Sequence, residues 1–324
     1  MRRGTRTRNG AARTLATAAV AVLLAAGCTA QSGPRDDGRG TVREPASSPE
    51  SRNDASVLAV KVDNVRAARP QSGLDAADLV YVEPVEGGLS RLMAVYATRL
   101  PDSVGPVRSA RESDLELLRQ FDRPTLAFSG AQSKLLPLIA EAPLRAEPAD
   151  GGSDAYVRDD GRAAPHNLYL RPDRLMPSAP GAAALTTGFR YGAAPSGGTA
   201  EDSHTVRYPA ARFTFSWSES RDRWLVSMDG EPAVTADGKR LAPATVVVQY
   251  VDIRDSRFQD FRGSNSPYVE SVGTGKAEVL RDGRVHTATW QRPAAEDGTS
   301  FEAADGSPMR FADGQVWVVF TEAP

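Results

Sequence analysis

Cysteine is all but absent from this chain: Cys28 stands alone among 324 residues. One cysteine excludes an internal disulfide framework and any cysteine-built zinc cluster. Only three histidines are present, His166, His204 and His286, and no H-E-x-x-H or i,i+4 spacing joins them, so neither a metal nor a cofactor is expected. Lysine is scarce as well. Lys61, Lys134, Lys239 and Lys276 are four of the 39 basic residues, and the arginine majority reflects coding bias as much as chemistry. Catalytic signatures are missing too. Gly273-Thr274-Gly275-Lys276 lacks the first glycine and the final Ser/Thr of a phosphate loop and reads as a tight turn, and Ser129-Gly130 follows Ala127-Phe128 rather than a nucleophile elbow.

What is present starts with an address. Residues 1–13 hold Arg2, Arg3, Arg6, Arg8 and Arg13 without an acid, and Leu15 to Ala26 is an uncharged run too short for a comfortable membrane span. Residues 1–27 therefore read as a secretory signal peptide. Leu24-Ala25-Ala26-Gly27-Cys28 resembles the lipobox of bacterial lipoproteins, with Ala25 where leucine is usual, so Cys28 reads as the lipidated first residue of the mature chain. A diacyl or triacyl chain there, at ~0.8 kcal/mol per buried CH₂, anchors a protein without a spanning helix. The expected location is the outer face of the bacterial cytoplasmic membrane. Loss of five arginines moves the formal charge from −2 to −7, which argues against nucleic acid as a partner.

Residues 28–55 combine Pro, Gly, Ser and charges of both signs with almost no large apolar side chain, the composition of a disordered tether. From residue 56 to 190 apolar strand runs at 57–62, 78–85, 91–98 and 125–129 alternate with helical spacing at 109–121 and 131–142, which predicts an α/β domain. Ser109 is placed to cap the first helix, and residues 146–164 read as a long surface loop. From 200 to 324 the helical period vanishes. Short runs at 212–217, 223–228, 245–251, 276–280, 285–290 and 315–320 are interleaved with six Asp-Gly pairs, a pattern for an antiparallel β domain with Trp217, Trp224, Trp290 and Trp317 as core anchors. The fold class is thus mixed α+β in two domains.

The densest polar group lies in the first of these. Glu83, Glu86 and Arg91 flank Gly87-Gly88, and Gly105-Pro106-Val107-Arg108-Ser109-Ala110-Arg111 leads into a predicted helix start. Arginine opposes the positive end of a helix unless something negative sits between them. Glu83, Glu86 or Asp114 could answer Arg108 and Arg111 from within the chain. The sharper alternative is an anion cradle of Arg91, Arg108, Ser109, Arg111 and Asn167, with His166 as proton donor and Glu83 or Glu86 as base.

Asp63-Asn64, Arg69-Pro70-Gln71-Ser72-Gly73, Ala77-Asp78, the Glu83 to Arg91 stretch, the 105–111 string, Pro165-His166-Asn167-Leu168-Tyr169 and, more loosely, Thr245–Val251, Gly273-Thr274-Gly275, Gly283 to Trp290 and Gly314 to Trp317 resemble the YerB-like family of bacterial lipoproteins, whose domain is of unknown function. Ser90 and Ala244 depart from the Thr and Asn usual there. The resemblance spans nearly all of 57–324 and implies a lipid-anchored, extracytoplasmic, two-domain protein without an established activity.

Three functions remain open at this point. The first is binding of an anionic or carbohydrate envelope component through the arginine-rich site, with a cell-wall polymer or an envelope protein as partner. The others are an envelope hydrolase or transferase using His166 with Glu83 or Glu86, and a structural partner of another envelope protein.

Overall fold

A computed structural model describes residues 56–260 and 263–323. The signal peptide, Cys28 and tether read from the sequence lie outside the described residues. Every apolar strand run read above forms a strand. In the first half these are β1 (Leu58–Asp63), β2 (Leu79–Val85), β3 (Leu89–Tyr96), β4 (Thr125–Phe128) and β5 (Arg145–Pro148).

Ten of the eleven strands of the main sheet run in the order Ser300–Ala303, Arg284–Arg292, Gly273–Arg281, Thr245–Tyr250, Val316–Thr321, β2, β3, β1, β4, β5. The strand Val316–Thr321 lies between its two halves, parallel to Thr245–Tyr250 on one side and to β2 on the other. The two halves of the sequence therefore share one sheet, and both fall in one compact unit.

Both faces of that sheet are covered, and the apolar runs are continuous for that reason. Leu58, Val60 and Val62 point into one core, which includes Phe213, Phe215, Trp224 and Val226 of a second, four-stranded antiparallel sheet. Val57 and Ala59 point into the other core, with Leu117, Leu118, Phe121 and Ile139 from the helical side. Trp224, Trp290 and Trp317 are buried, and Trp217 lies 5.4 Å from Trp224, ring centre to ring centre.

The fold is mostly β, and the helical share of the first half is smaller than its periodicity predicts. Helix α1 covers only Glu112–Leu118 and α2 only Leu136–Glu141. Residues 107–110 do not open a helix because their backbone is already engaged elsewhere: the Arg108 N–H donates to the Lys61 carbonyl on β1 (2.8 Å) and the Ala110 N–H to the Gly130 carbonyl in the segment after β4 (3.0 Å). Pro137 begins α2 at its first turn, where a missing N–H costs nothing.

The predicted loop at 146–164 contains β6 (Tyr156–Arg158), which pairs with β7 (Leu168–Leu170). Gly273 to Lys276 begins a nine-residue strand instead of a turn. Of the six Asp-Gly pairs, Asp229-Gly230 and Asp282-Gly283 have both residues at positive φ, as a type I′ hairpin requires.

Candidate functional site

The candidate site grows from strand register. Glu83 on β2 stands opposite Arg91 on β3, which stands opposite Asp63 on β1, so three charged residues form one row across the sheet. Lys61 precedes Asp63 by two positions and so shares its face. The segment 105–111, α1 and Glu86 cover this end of the sheet, bringing together Lys61, Arg91, Arg108 and Arg111 with Asp63, Glu83, Glu86 and Asp114.

Lys61 lies at the bottom, fully buried. Its ammonium donates to Glu83 and, at 2.6 Å, to Asp114 Oδ1. Asp114 accepts a second bond from the Arg111 N–H (2.7 Å) and so caps α1, the role the sequence suggested for Ser109. The Ser109 hydroxyl instead lies 3.4 Å from that of Ser129. Glu83 Oε1 is buried without a hydrogen-bond partner among the described residues. Burial, opposed by Lys61 and assisted by Asp114, raises the Glu83 carboxyl to about 8.

The chain itself answers two of the three arginines. Arg111 grips Glu86 with two bonds, from Nε to Oε1 at 2.6 Å and from Nη2 to Oε2 at 2.8 Å. Burial pushes the Glu86 carboxyl up, but bonds from Arg111 and Ser266, with the Arg91 charge, outweigh it and bring it down to about 2. Arg108 Nε lies 3.1 Å from Asp63 Oδ2.

Arg91 differs. Among the described residues no carboxylate oxygen lies within ion-pair distance of its guanidinium, which donates from Nη1 to the Ser109 carbonyl at 3.1 Å. Burial, with the Arg111 and Arg108 charges, lowers it to about 10 against the Glu86 and Asp63 carboxylates, which act to raise it, so it stays charged. Of the four cations gathered here, Arg91 is the one with no carboxylate within ion-pair distance among the described residues.

His166 reaches the same row from the far end of the β6–β7 hairpin. Its Nδ1 donates to Asp63 Oδ2 at 2.8 Å, on the carboxylate that Arg108 also approaches. Asp63, not Glu83 or Glu86, is therefore the acid that orients His166. Glu83 is committed to Lys61 and Glu86 to Arg111, which leaves neither as a free base beside the imidazole. Asn167 is committed too: its amide oxygen accepts from Arg158 (2.9 Å) and its Nδ2 donates to the Asp159 carbonyl (3.4 Å). The partly exposed rim thus consists of Arg91, Arg108, Ser109, Arg111 and His166.

Lys61 and Asp63 were missed as members of the site. The available signal was a lysine, rare in this chain, inside the apolar run 57–62 and two positions before an aspartate. Among the described residues no group of three His, Cys, Asp or Glu side chains could hold a metal ion, and no helix is long and apolar enough to cross a membrane.

Fold and cluster together define a class: a mostly β protein on one mixed sheet, with a buried mixed-charge cluster where a short helix crosses the sheet end. Residues 44–185 match "Protein of unknown function (DUF3048) N-terminal domain" and residues 204–318 match the C-terminal domain of the same description, so the chain belongs to the DUF3048 family. The "Putative lipoprotein YerB" of Bacillus subtilis (strain 168) is 26% identical over 279 residues, covering 81% of this chain and 80% of that protein. The crystal structure of YerB from Bacillus subtilis superposes with a TM-score of 0.69 at 22% identity, over 85% of this chain and 94% of that one, and shares the fold.

Proposed function

We propose that this protein is a lipid-anchored extracytoplasmic binding protein, tethered through Cys28, that holds an anionic group of an envelope component at the rim formed by Arg91, Arg108, Ser109 and His166. The lipobox-like sequence and the name of the similar Bacillus subtilis protein support the anchor. The observation that carries the binding reading is the Arg91 guanidinium, which has no carboxylate within ion-pair distance among the described residues and stands beside two further arginines that each have one. The reading does not use helix amides. Helix α1 has seven residues, and Asp114 already occupies the Arg111 N–H.

A charge-assisted hydrogen bond to one anion oxygen contributes about 2 kcal/mol, which is about 30-fold in affinity. Inorganic phosphate and acetate, titrated at millimolar concentration against the full-length protein in detergent, should raise its melting temperature. Arg91→Met should abolish that rise while leaving the ligand-free melting temperature close to wild type. Persistence of the rise in Arg91→Met, or its absence in wild type, would overturn the reading.

The Asp63–His166 pair favours a second reading, an envelope hydrolase or transferase with His166 as acid or base and Asp63 as its positioning residue. In that case His166→Gln loses turnover and keeps phosphate binding.

A further inference from the structure

A separate hollow of about 470 Å³ opens on the outer side of the β6–β7 hairpin. Its platform follows from pairing register: Val157 stands opposite Tyr169, so their side chains share one face, and Asp159 and Arg171 continue that face at either end. Arg162 holds the Tyr169 ring in place, donating from Nη1 to the phenolic oxygen at 2.6 Å and to the Ala68 carbonyl at 3.2 Å, and from Nη2 to the Pro70 carbonyl at 3.1 Å. The ring also lies over Gly105, where a Cβ would come within 2.8 Å of Tyr169 Cδ1. The platform is therefore built before any ligand arrives.

The groups around it have hydrogen-bonding capacity to spare. Asp102 makes no hydrogen bond or ion pair among the described residues. Asp159 uses Oδ1 for the Gly161 N–H (2.9 Å) and keeps Oδ2 free. Arg171 donates from Nη2 to the Asp154 carbonyl (2.6 Å), and its Nε–H is buried without an acceptor among the described residues, so only its remaining guanidinium N–H groups can serve a ligand. The Ser72 and Ser103 hydroxyls line the same wall. Two aspartates against two arginines leave no net charge, so neither an anion nor a cation is selected. Val157, 42% exposed, offers an apolar surface beside the ring.

We propose that this hollow is a saccharide-binding site, in which the Tyr169–Val157 platform takes the C–H face of a neutral sugar ring while Asp102, Asp159 and Arg171 bond its hydroxyls. Carboxylates accept from vicinal hydroxyls, an aromatic face suits a ring's C–H side, and absent net charge suits an uncharged polyol. The site uses none of the Arg91 rim and does not depend on anion binding there.

Full-length protein in a detergent without a sugar headgroup tests this by saturation-transfer NMR with chitotetraose, cellotetraose and maltotetraose as probes. At least one should receive saturation on its ring protons. Asp102→Ala and Val157→Asp, both at exposed positions, should each weaken that probe at least tenfold without moving the melting temperature, and Arg91→Met should leave it unchanged. The proposal is overturned if no tetrasaccharide receives saturation, if both exposed variants bind as wild type does, or if only a lysine tripeptide used as competitor occupies the site.

Discussion

Lys61 touches two carboxyl groups in different settings, and replacing each by its amide isostere separates them. The Glu83 carboxyl, raised to about 8, favours its neutral form roughly tenfold at pH 7. Glu83→Gln keeps that neutral shape, so the expected change at pH 7 is below about 1 kcal/mol. Asp114 is the counter-charge, fully buried and 2.6 Å from the ammonium. Asp114→Asn strands a buried cation at a cost of about 3–5 kcal/mol, and weakens the α1 cap by about 1 kcal/mol more. At roughly 2–4 °C per kcal/mol for a domain of this order of size, the melting temperature should fall by at least about 8 °C.

The pH dependence adds a second readout of the same pair. Folded Glu83 keeps its proton between the ordinary carboxyl range and about 8, where the unfolded chain has lost it. Wild-type stability should therefore decline as pH rises through that window, by up to about 1.4 kcal/mol per unit from this group. Denaturant unfolding followed by tryptophan fluorescence measures both effects, since Trp224, Trp290 and Trp317 are buried. Equal destabilisation by Glu83→Gln and Asp114→Asn at pH 7, or an identical pH slope in wild type and Glu83→Gln, would refute the assignment.

Arg111→Ala should cost about 3 kcal/mol, because Glu86 loses both of its guanidinium bonds. Glu86 lies below its ordinary value, so its stabilisation is present above pH 4.5 and disappears as pH falls toward 2; acid titration of Arg111→Ala should lack that loss. Arg292, fully buried, donates to the carbonyls of Glu116 (2.9 Å), Ala295 (2.5 Å) and Asp297 (3.0 Å) and to the Ser271 hydroxyl (2.8 Å). Arg292→Met should cost about 3 kcal/mol or more in denaturant unfolding, and Arg292→Lys should not restore it, since a point charge cannot reach that fan of acceptors. At Gly275 an added Cβ would stand 2.6 Å from Trp290 Nε1 and 2.9 Å from the Tyr250 carbonyl, the two atoms that bond each other at 2.8 Å. Gly275→Ala should cost about 1–3 kcal/mol and shift tryptophan emission to the red.

The strands were legible because each carries a run of apolar residues long enough to need two covered faces or alternates with a two-residue period. Val316–Thr321 was read as a strand, but nothing local says that it separates Thr245–Tyr250 from β2, some 160 residues upstream; that placement is a long-range pairing. Helical spacing at 109–121 is real in Leu115, Leu118 and Phe121, yet the N–H groups of Arg108 and Ala110 bond Lys61 on β1 and Gly130 after β4, so the helix starts later. At the site, Arg108 and Arg111 were visible as charges out of place. Lys61 is masked by the apolar run 57–62 that contains it, and Asp63 stands out in the family-like pair Asp63-Asn64 but not as a partner of the arginines.

The sequence offered two ways of answering Arg108 and Arg111, acids of the same chain or an outside anion, and the structure takes the first. Asp63 answers Arg108 and Glu86 answers Arg111, both from within the chain. Asp114, the third acid near them in the sequence, is drawn down to Lys61. The demand therefore moves to Arg91, held in the row between Glu83 and Asp63 but left without a carboxylate in reach, because one neighbour bonds the buried lysine and the other bonds His166. If the cluster existed only to pin the short helix to the sheet, Arg91 would be its dispensable member and Arg91→Met would be silent in every assay. The loss of anion-dependent stabilisation in a variant that folds normally separates a binding rim from a structural clamp.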